Sequence, residues 1–186
     1  MSTHEAVADA EDKMQKAIDV YKKNLGGIRT GRANPGLVES LRVDAYGTPT
    51  PLKQLATIGT PEPQQILIRP YDTSLTKDIE KAIVGSDLGL NPQGDGRVIR
   101  LNIPPLSSEV RKKLVARVKE LTEDSKIALR NIRRDANKHI EQAEKAKEFG
   151  EDQRDTLKDD VQNLLKEHEN QITALAKKRE TEVLED

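Results

Sequence analysis

Apolar residues recur three or four positions apart from Val7 through Ala10, Met14, Ala17, Tyr21 and Leu25 to Ile28. This spacing puts them on one stripe of a helix and predicts an amphipathic segment of about seven turns. Gly31 and the Asn34-Pro35-Gly36 turn break the pattern. Short runs with β character follow at Leu41 to Tyr46, Gln65 to Arg69 and Val98 to Ile103. In the last run Ile99, Leu101 and Ile103 alternate with Arg100 and Asn102, which predicts a small sheet with one buried face. Between the second and third runs, Ser74 to Leu88 reads as a covering helix that turns Leu75, Ile79, Ala82 and Ile83 inward and stops at Gly89. Helical spacing returns after Pro104-Pro105, with Ser107 or Ser108 as the N-cap. Its apolar stripe runs through Val110, Leu114, Val118, Leu121, Ser125, Ala128, Ile132, Ala136, His139, Ala143 and Ala146. Gly150 precedes a final run of Leu157, Val161, Leu164, His168, Ile172, Leu175 and Val183.

None of the three long helices can bury its stripe alone, so the pattern predicts an antiparallel three-helix bundle in which a helix of about 38 residues extends about 57 Å. The fold class is α+β, with a small β/α/β domain inserted after the first helix. The expected boundaries are 1–30 and 106–186 for the bundle and 31–105 for the insertion. Two connections, near 30–34 and 103–106, then act as a double hinge through Thr30, Gly31, Ala33, Asn34, Ile103, Pro104, Pro105 and Leu106.

Composition narrows the function. The 186 residues include 31 Lys+Arg and 32 Asp+Glu, no Cys, no Trp and only four aromatics, three Tyr and one Phe. The lack of thiols excludes disulfides and cysteine-ligated metal sites and suits a reducing cytoplasm. No apolar stretch approaches the roughly 18 residues of a membrane span, and the N-terminal region lacks a secretory pattern. The expectation is a soluble, cytoplasmic protein.

Catalytic groups do not converge. Of the three histidines, His139 and His168 fall on apolar stripes and read as core residues, and His4 belongs to a terminus. HExxH, GxSxG and phosphate-loop patterns are absent, and Gly94 and Gly96 flank Asp95 in a hairpin turn. No metal or cofactor is implied. Charge is distributed more tellingly: Arg111 to Lys138 carries a balance of +6, and His139 to Asp186 one of −6. On the helical wheel Lys112, Lys119, Lys126, Arg130 and Arg133, with Asn137, fall opposite the apolar stripe and form a positive ridge interrupted by Glu123. Arg130, Arg133 and Arg134 are all guanidinium, which suits bidentate contact with phosphate. With so few aromatics, stacking on single strands is disfavoured and recognition of folded RNA by shape and backbone survives. A coiled-coil-like protein adaptor whose ridge merely faces water stays open beside it, with a carboxylate hydrolase third.

Five stretches carry more specific information. Ile28 to Leu37 reads IRTGRANPGL, Tyr46 to Ala56 YGTPTPLKQLA, Ser86 to Pro92 SDLGLNP, Ile99 to Leu106 IRLNIPPL and Arg130 to Asn137 RNIRRDAN. Together, in order, they closely resemble the ribosome recycling factors of bacteria and organelles. The resemblance implies an L-shaped, two-domain, monomeric protein that is not itself an enzyme. It implies binding in the ribosomal intersubunit space, on large-subunit RNA near the peptidyl-transferase region. With elongation factor G and its GTP hydrolysis, such a factor splits post-termination ribosomes and releases mRNA and deacylated tRNA. By the same resemblance Arg133, beside Arg130 and Arg134, is the RNA-contacting arginine, and Arg29 and Arg32 of the RTGR motif serve RNA contact or linker packing.

Overall fold

The computed structural model describes residues 3–185; the side chain of His4 lies outside the described residues. The chain divides into two compact units, residues 3–29 with Ser108–Glu185, and Thr30–Ser107.

The first unit is a three-helix bundle. Helix α1 spans Thr3–Gly26. It buries Ala10, Met14, Ile18, Tyr21 and Leu25, with Ile28 closing the end of the stripe. It stops at Gly26, before Gly31, and continues as tight turns from Gly27 N to Asn24 O (3.2 Å) and Ile28 N to Leu25 O (3.0 Å).

The second unit opens with a single helical turn, α2 (Gly36–Glu39), and the hairpin β1 (Arg42–Ala45) and β2 (Thr48–Pro51). Another turn, α3 (Leu52–Leu55), leads to β3 (Ala56–Glu62) and β4 (Gln65–Pro70). A 3-10 turn at Thr73–Leu75 enters α4 (Thr76–Val84), and β5 (Pro92–Gly94) and β6 (Ile99–Asn102) complete the unit. Strands β3, β4, β6 and β5 form a four-stranded antiparallel sheet in that order, separate from the β1–β2 ribbon. In place of the single three-stranded sheet expected from the sequence, the described residues form two sheets, of two and four strands.

All three strands missing from that expectation, β2, β3 and β5, lie at sheet edges and contain proline: Pro49 and Pro51, Pro61, and Pro92. Proline lacks the N–H a central strand must donate, so it is favoured at sheet edges and strand ends, and it hides such edges from pattern reading. Alternation does hold in β4 and β6, where Ile66, Ile68, Ile99 and Leu101 are buried and Arg69, Arg100 and Asn102 are exposed. Helix α4 contributes Ile79 and Ile83 to the same core. It ends at Val84 on Gly85, while Gly89, expected to end it, sits at φ 64° in the following turn.

Both chain crossings are tied to one β-turn. Ala33 N donates to Pro63 O (2.6 Å) and Ile103 N to Gln64 O (2.8 Å). Ile103 is buried in the small core, Ala33 packs on it, and Asn34 Oδ1 accepts from Gly36 N (2.9 Å). These three, read as hinge residues, are thus anchored inside the small unit.

The bundle resumes with α5 (Ser108–Lys145) and α6 (Glu151–Leu184), joined by a short turn in which Lys147 adopts φ 58°. The stripe of α5 departs from its sequence reading. Val118, Leu129, Ala136 and Ile140 are buried, whereas Val110 and His139 are exposed. A helix packed against two neighbours buries a wider arc than one stripe, and the larger apolar side chain of each adjacent pair, Leu129 over Ala128 and Ile140 over His139, gains more by taking the inner place. On α6 the expected Leu157, Val161, His168, Ile172 and Val183 are buried, together with Leu165 and Ala176. His168 is a satisfied core residue, its Nδ1 2.7 Å from the Leu164 carbonyl oxygen.

Candidate nucleic-acid interface

The basic residues of α5 do not share one environment. Lys112 and Lys119 are exposed and have no ion-pair partner among the described residues; Lys126 is half-buried. Arg134 is exposed and its guanidinium donates to Asn131 Oδ1 one turn away. Arg130 reaches across to α6, where Nε donates to Glu169 Oε1 (3.1 Å), and Nη1 lies 3.4 Å from Glu123 Oε1 on its own helix.

Arg133 corrects the sequence reading most. It is half-buried, not projected into water: Nη1 donates to Gln162 Oε1 on α6 (3.1 Å), and Nε is buried without a hydrogen-bond partner among the described residues. Asn137, one turn on, is half-buried and its Oδ1 is likewise buried and unpaired. The wheel placed both opposite the apolar stripe because it allowed α5 a single contact face. In the bundle α5 contacts α1 and α6, and the residues flanking the stripe on the α6 side line the seam between the helices.

That seam carries a polar ladder with antiparallel register: Arg130 to Glu169, Arg133 to Gln162 and Glu141 to Lys158. The Lys158 ammonium, through a hydrogen bond and its charge, holds the Glu141 carboxyl below the usual carboxylate range. Gln162 and Glu169 had no signal in the sequence, since choosing them requires knowing which face of α6 meets α5. Further exposed cations on α5, Lys113 and Lys138, also lay outside the predicted ridge, and Arg117 is paired with Glu120 (2.6 Å). Ile127 stands among these charges and is 45% exposed.

The two arginines of the RTGR motif fall in different units. Arg29, exposed at the end of the bundle, lines an open cleft of about 590 Å³ with Lys23, Asn24, Ile28, Leu114 and Arg117. Arg32 belongs to the small unit and borders a cleft with Ala33, Pro61, Glu62 and Pro63. Among the described residues no cluster of His, Asp or Glu could hold a metal ion, and no helix is long and apolar enough to cross a membrane.

A three-helix bundle with an arginine-rich seam, interrupted by an inserted sheet unit, defines a two-unit α+β protein. The sequence model of the ribosome recycling factor family matches residues 21–184, and the chain belongs to that family. It is 70% identical over 138 residues to the ribosome-recycling factor of Rhodopirellula baltica, covering 74% of each chain. It is 52% identical over 176 residues to that of Geobacillus sp., covering 95% of each. Among solved structures, the solution structure of a ribosome recycling factor aligns over 100% of this chain and 99% of its own, at 36% identity and TM-score 0.80. The T. thermophilus factor, described with E. coli elongation factor G bound to the E. coli post-termination complex, aligns over 99% and 100%, at 40% identity and TM-score 0.66.

Proposed function

We propose that this chain recycles ribosomes. Acting in the cytoplasm as a monomer and without catalysis of its own, it binds the post-termination ribosome, and elongation factor G with GTP hydrolysis splits the complex into subunits, freeing mRNA and deacylated tRNA. The observation that carries this reading is the full-length likeness to a relative described with elongation factor G on a post-termination complex.

The bundle is the RNA-binding part in this reading. Arg133, supported by Arg134, Lys119, Lys112 and Lys126, meets phosphates of large-subunit RNA near the peptidyl-transferase region, with Arg29 contributing from the segment just after α1. Packed helices resist bending, so a push delivered by the GTPase is transmitted rather than dissipated. The pivots in this reading are Thr30 and Gly31 on one crossing and Pro104 and Pro105 on the other. Incubating the purified chain with post-termination ribosomes, elongation factor G and GTP should lower light scattering as subunits separate. Scattering that stays at the level of the factor-free control removes the reading.

A further inference from the structure

The three arginines of RNIRRDAN differ in how much of their charge the protein already answers. Arg130 sits beside two carboxylates, Glu169 and Glu123. Among the described residues Arg134 meets only the side-chain oxygen of Asn131, and on an exposed stretch of helix. Arg133 alone is both half-buried and held from the neighbouring helix, and the group that holds it, Gln162 Oε1, is a neutral amide. A guanidinium presents five donors in a planar fork. Here Nε faces the buried seam and one Nη1 proton is given to Gln162, which leaves the other Nη protons for an incoming acceptor. The charge is positioned without being cancelled.

We propose that Gln162 is a positioning residue for RNA binding: a neutral anchor on α6 that fixes the Arg133 fork for a phosphate while leaving its full charge to attract one. This rests on the reading that α5 docks on ribosomal RNA. A carboxylate at position 162 would hold the arginine as well or better, since charge-assisted hydrogen bonds are the stronger kind, but it would compete with the phosphate. A side chain that cannot accept a hydrogen bond would leave the charge and lose the order. The composition of the seam supports the distinction, because one ladder step earlier the same helix supplies Glu169 to Arg130.

The test is salt-dependent binding to purified large ribosomal subunits by the full chain and its variants. Arg133→Gln should weaken binding about tenfold and flatten the dependence of log affinity on log salt by about 0.8, the effect of one phosphate contact. Gln162→Glu, with Arg133 intact, should reproduce both changes while circular dichroism and thermal midpoint stay at or above those of the parent. Gln162→Met should cost about threefold, from the ordering entropy of one long side chain, with an unchanged slope. The double variant Arg133→Gln with Gln162→Glu should bind like Arg133→Gln alone, because the introduced carboxylate acts through the arginine. If the two losses add, that carboxylate repels RNA by itself and the proposal is overturned; parental affinity and slope for Gln162→Glu overturn it too. Should Arg133→Gln bind like the parent, it is the RNA reading of Arg133 that falls.

Discussion

The hydroxyl of Tyr21 on α1 donates to Thr122 Oγ1 on α5 across 2.8 Å, joining residues 101 positions apart. The direction follows from proton counting: Thr122 has one hydroxyl proton and gives it to the Val118 carbonyl oxygen at 2.7 Å, so it can only accept from Tyr21. Tyr21 is fully buried in the bundle core, and burial, with the charge of Glu180 adding, pushes its phenol above the usual range. Tyr21→Phe should cost about 1 kcal/mol and Tyr21→Ala about 3–5 kcal/mol in urea unfolding. A phenol raised on folding contributes stability that is complete below its unfolded pKa and lost as pH climbs through the folded one. Tyr21→Phe should therefore soften the alkaline decline; an identical alkaline limb in both proteins argues against burial as the cause.

Gly94 on β5 leaves room for Glu80 of α4. A Cβ at Gly94 would collide with Glu80 Oε1 and lie 3.0 Å from its Cδ. The obstacle is the end of a flexible side chain, so Gly94→Ala should displace Glu80 and cost only about 1 kcal/mol. In a Glu80→Ala background that cost should vanish. A double-mutant cycle by urea unfolding measures this, and a cost that persists places the strain in the backbone of the β5–β6 hairpin instead.

Asp72 links the β1–β2 turn to the 3-10 turn that it caps. It accepts from the Tyr46 hydroxyl and, at 2.9 Å through Oδ1, from Ser74 N. Tyr46 occupies the two-residue β1–β2 turn with Gly47, at φ 53° and 80°, a conformation a tyrosine tolerates poorly. The hydrogen bonds from Tyr46 and Ser74 hold the Asp72 carboxyl below the usual range. A depressed carboxylate contributes stability that is complete above its unfolded pKa and fades as pH falls through the folded one. Asp72→Asn should thus flatten that part of the acid limb, and carbon-detected NMR titration of Asp72 should find the low pKa. A midpoint at the free-peptide value would mean that these bonds do not persist in solution.

The legibility of this fold from sequence follows a physical boundary. Helices were readable because 3.6-residue spacing repeats over many turns, and the stripe read as far as Ala146 comes within a residue of the end of α5 at Lys145. Strands β2, β3 and β5 were not, because Pro49, Pro51, Pro61 and Pro92 mark edges with the same residues that mark turns. The arginines were found from composition and from the RNIRRDAN stretch, but their surroundings were not. Whether Arg133 faces water or Gln162 depends on which side of α5 receives α6, and a one-helix wheel contains no second helix.

The pairing of Arg130 gives the complementary prediction. Its nearer carboxylate, Glu169 at 3.1 Å, lies on α6, and Glu123 stands at 3.4 Å; the Arg130 side chain is 44% exposed. Exposed pairs of this kind contribute at most about 1 kcal/mol, so Glu169→Gln should leave the bundle's urea midpoint nearly where it was. It should, however, release positive charge beside the phosphates that Arg133 is read to contact. Large-subunit binding should then tighten at low salt and depend more steeply on salt, with Glu123→Gln adding to the effect. The gain should require Arg130: in an Arg130→Ala background the Glu169→Gln change should lose most of its benefit, because only general repulsion by the carboxylate is then left to remove. A gain of equal size in both backgrounds would show that Glu169 acts on RNA directly and that α6, rather than the arginine, sets the field at this seam.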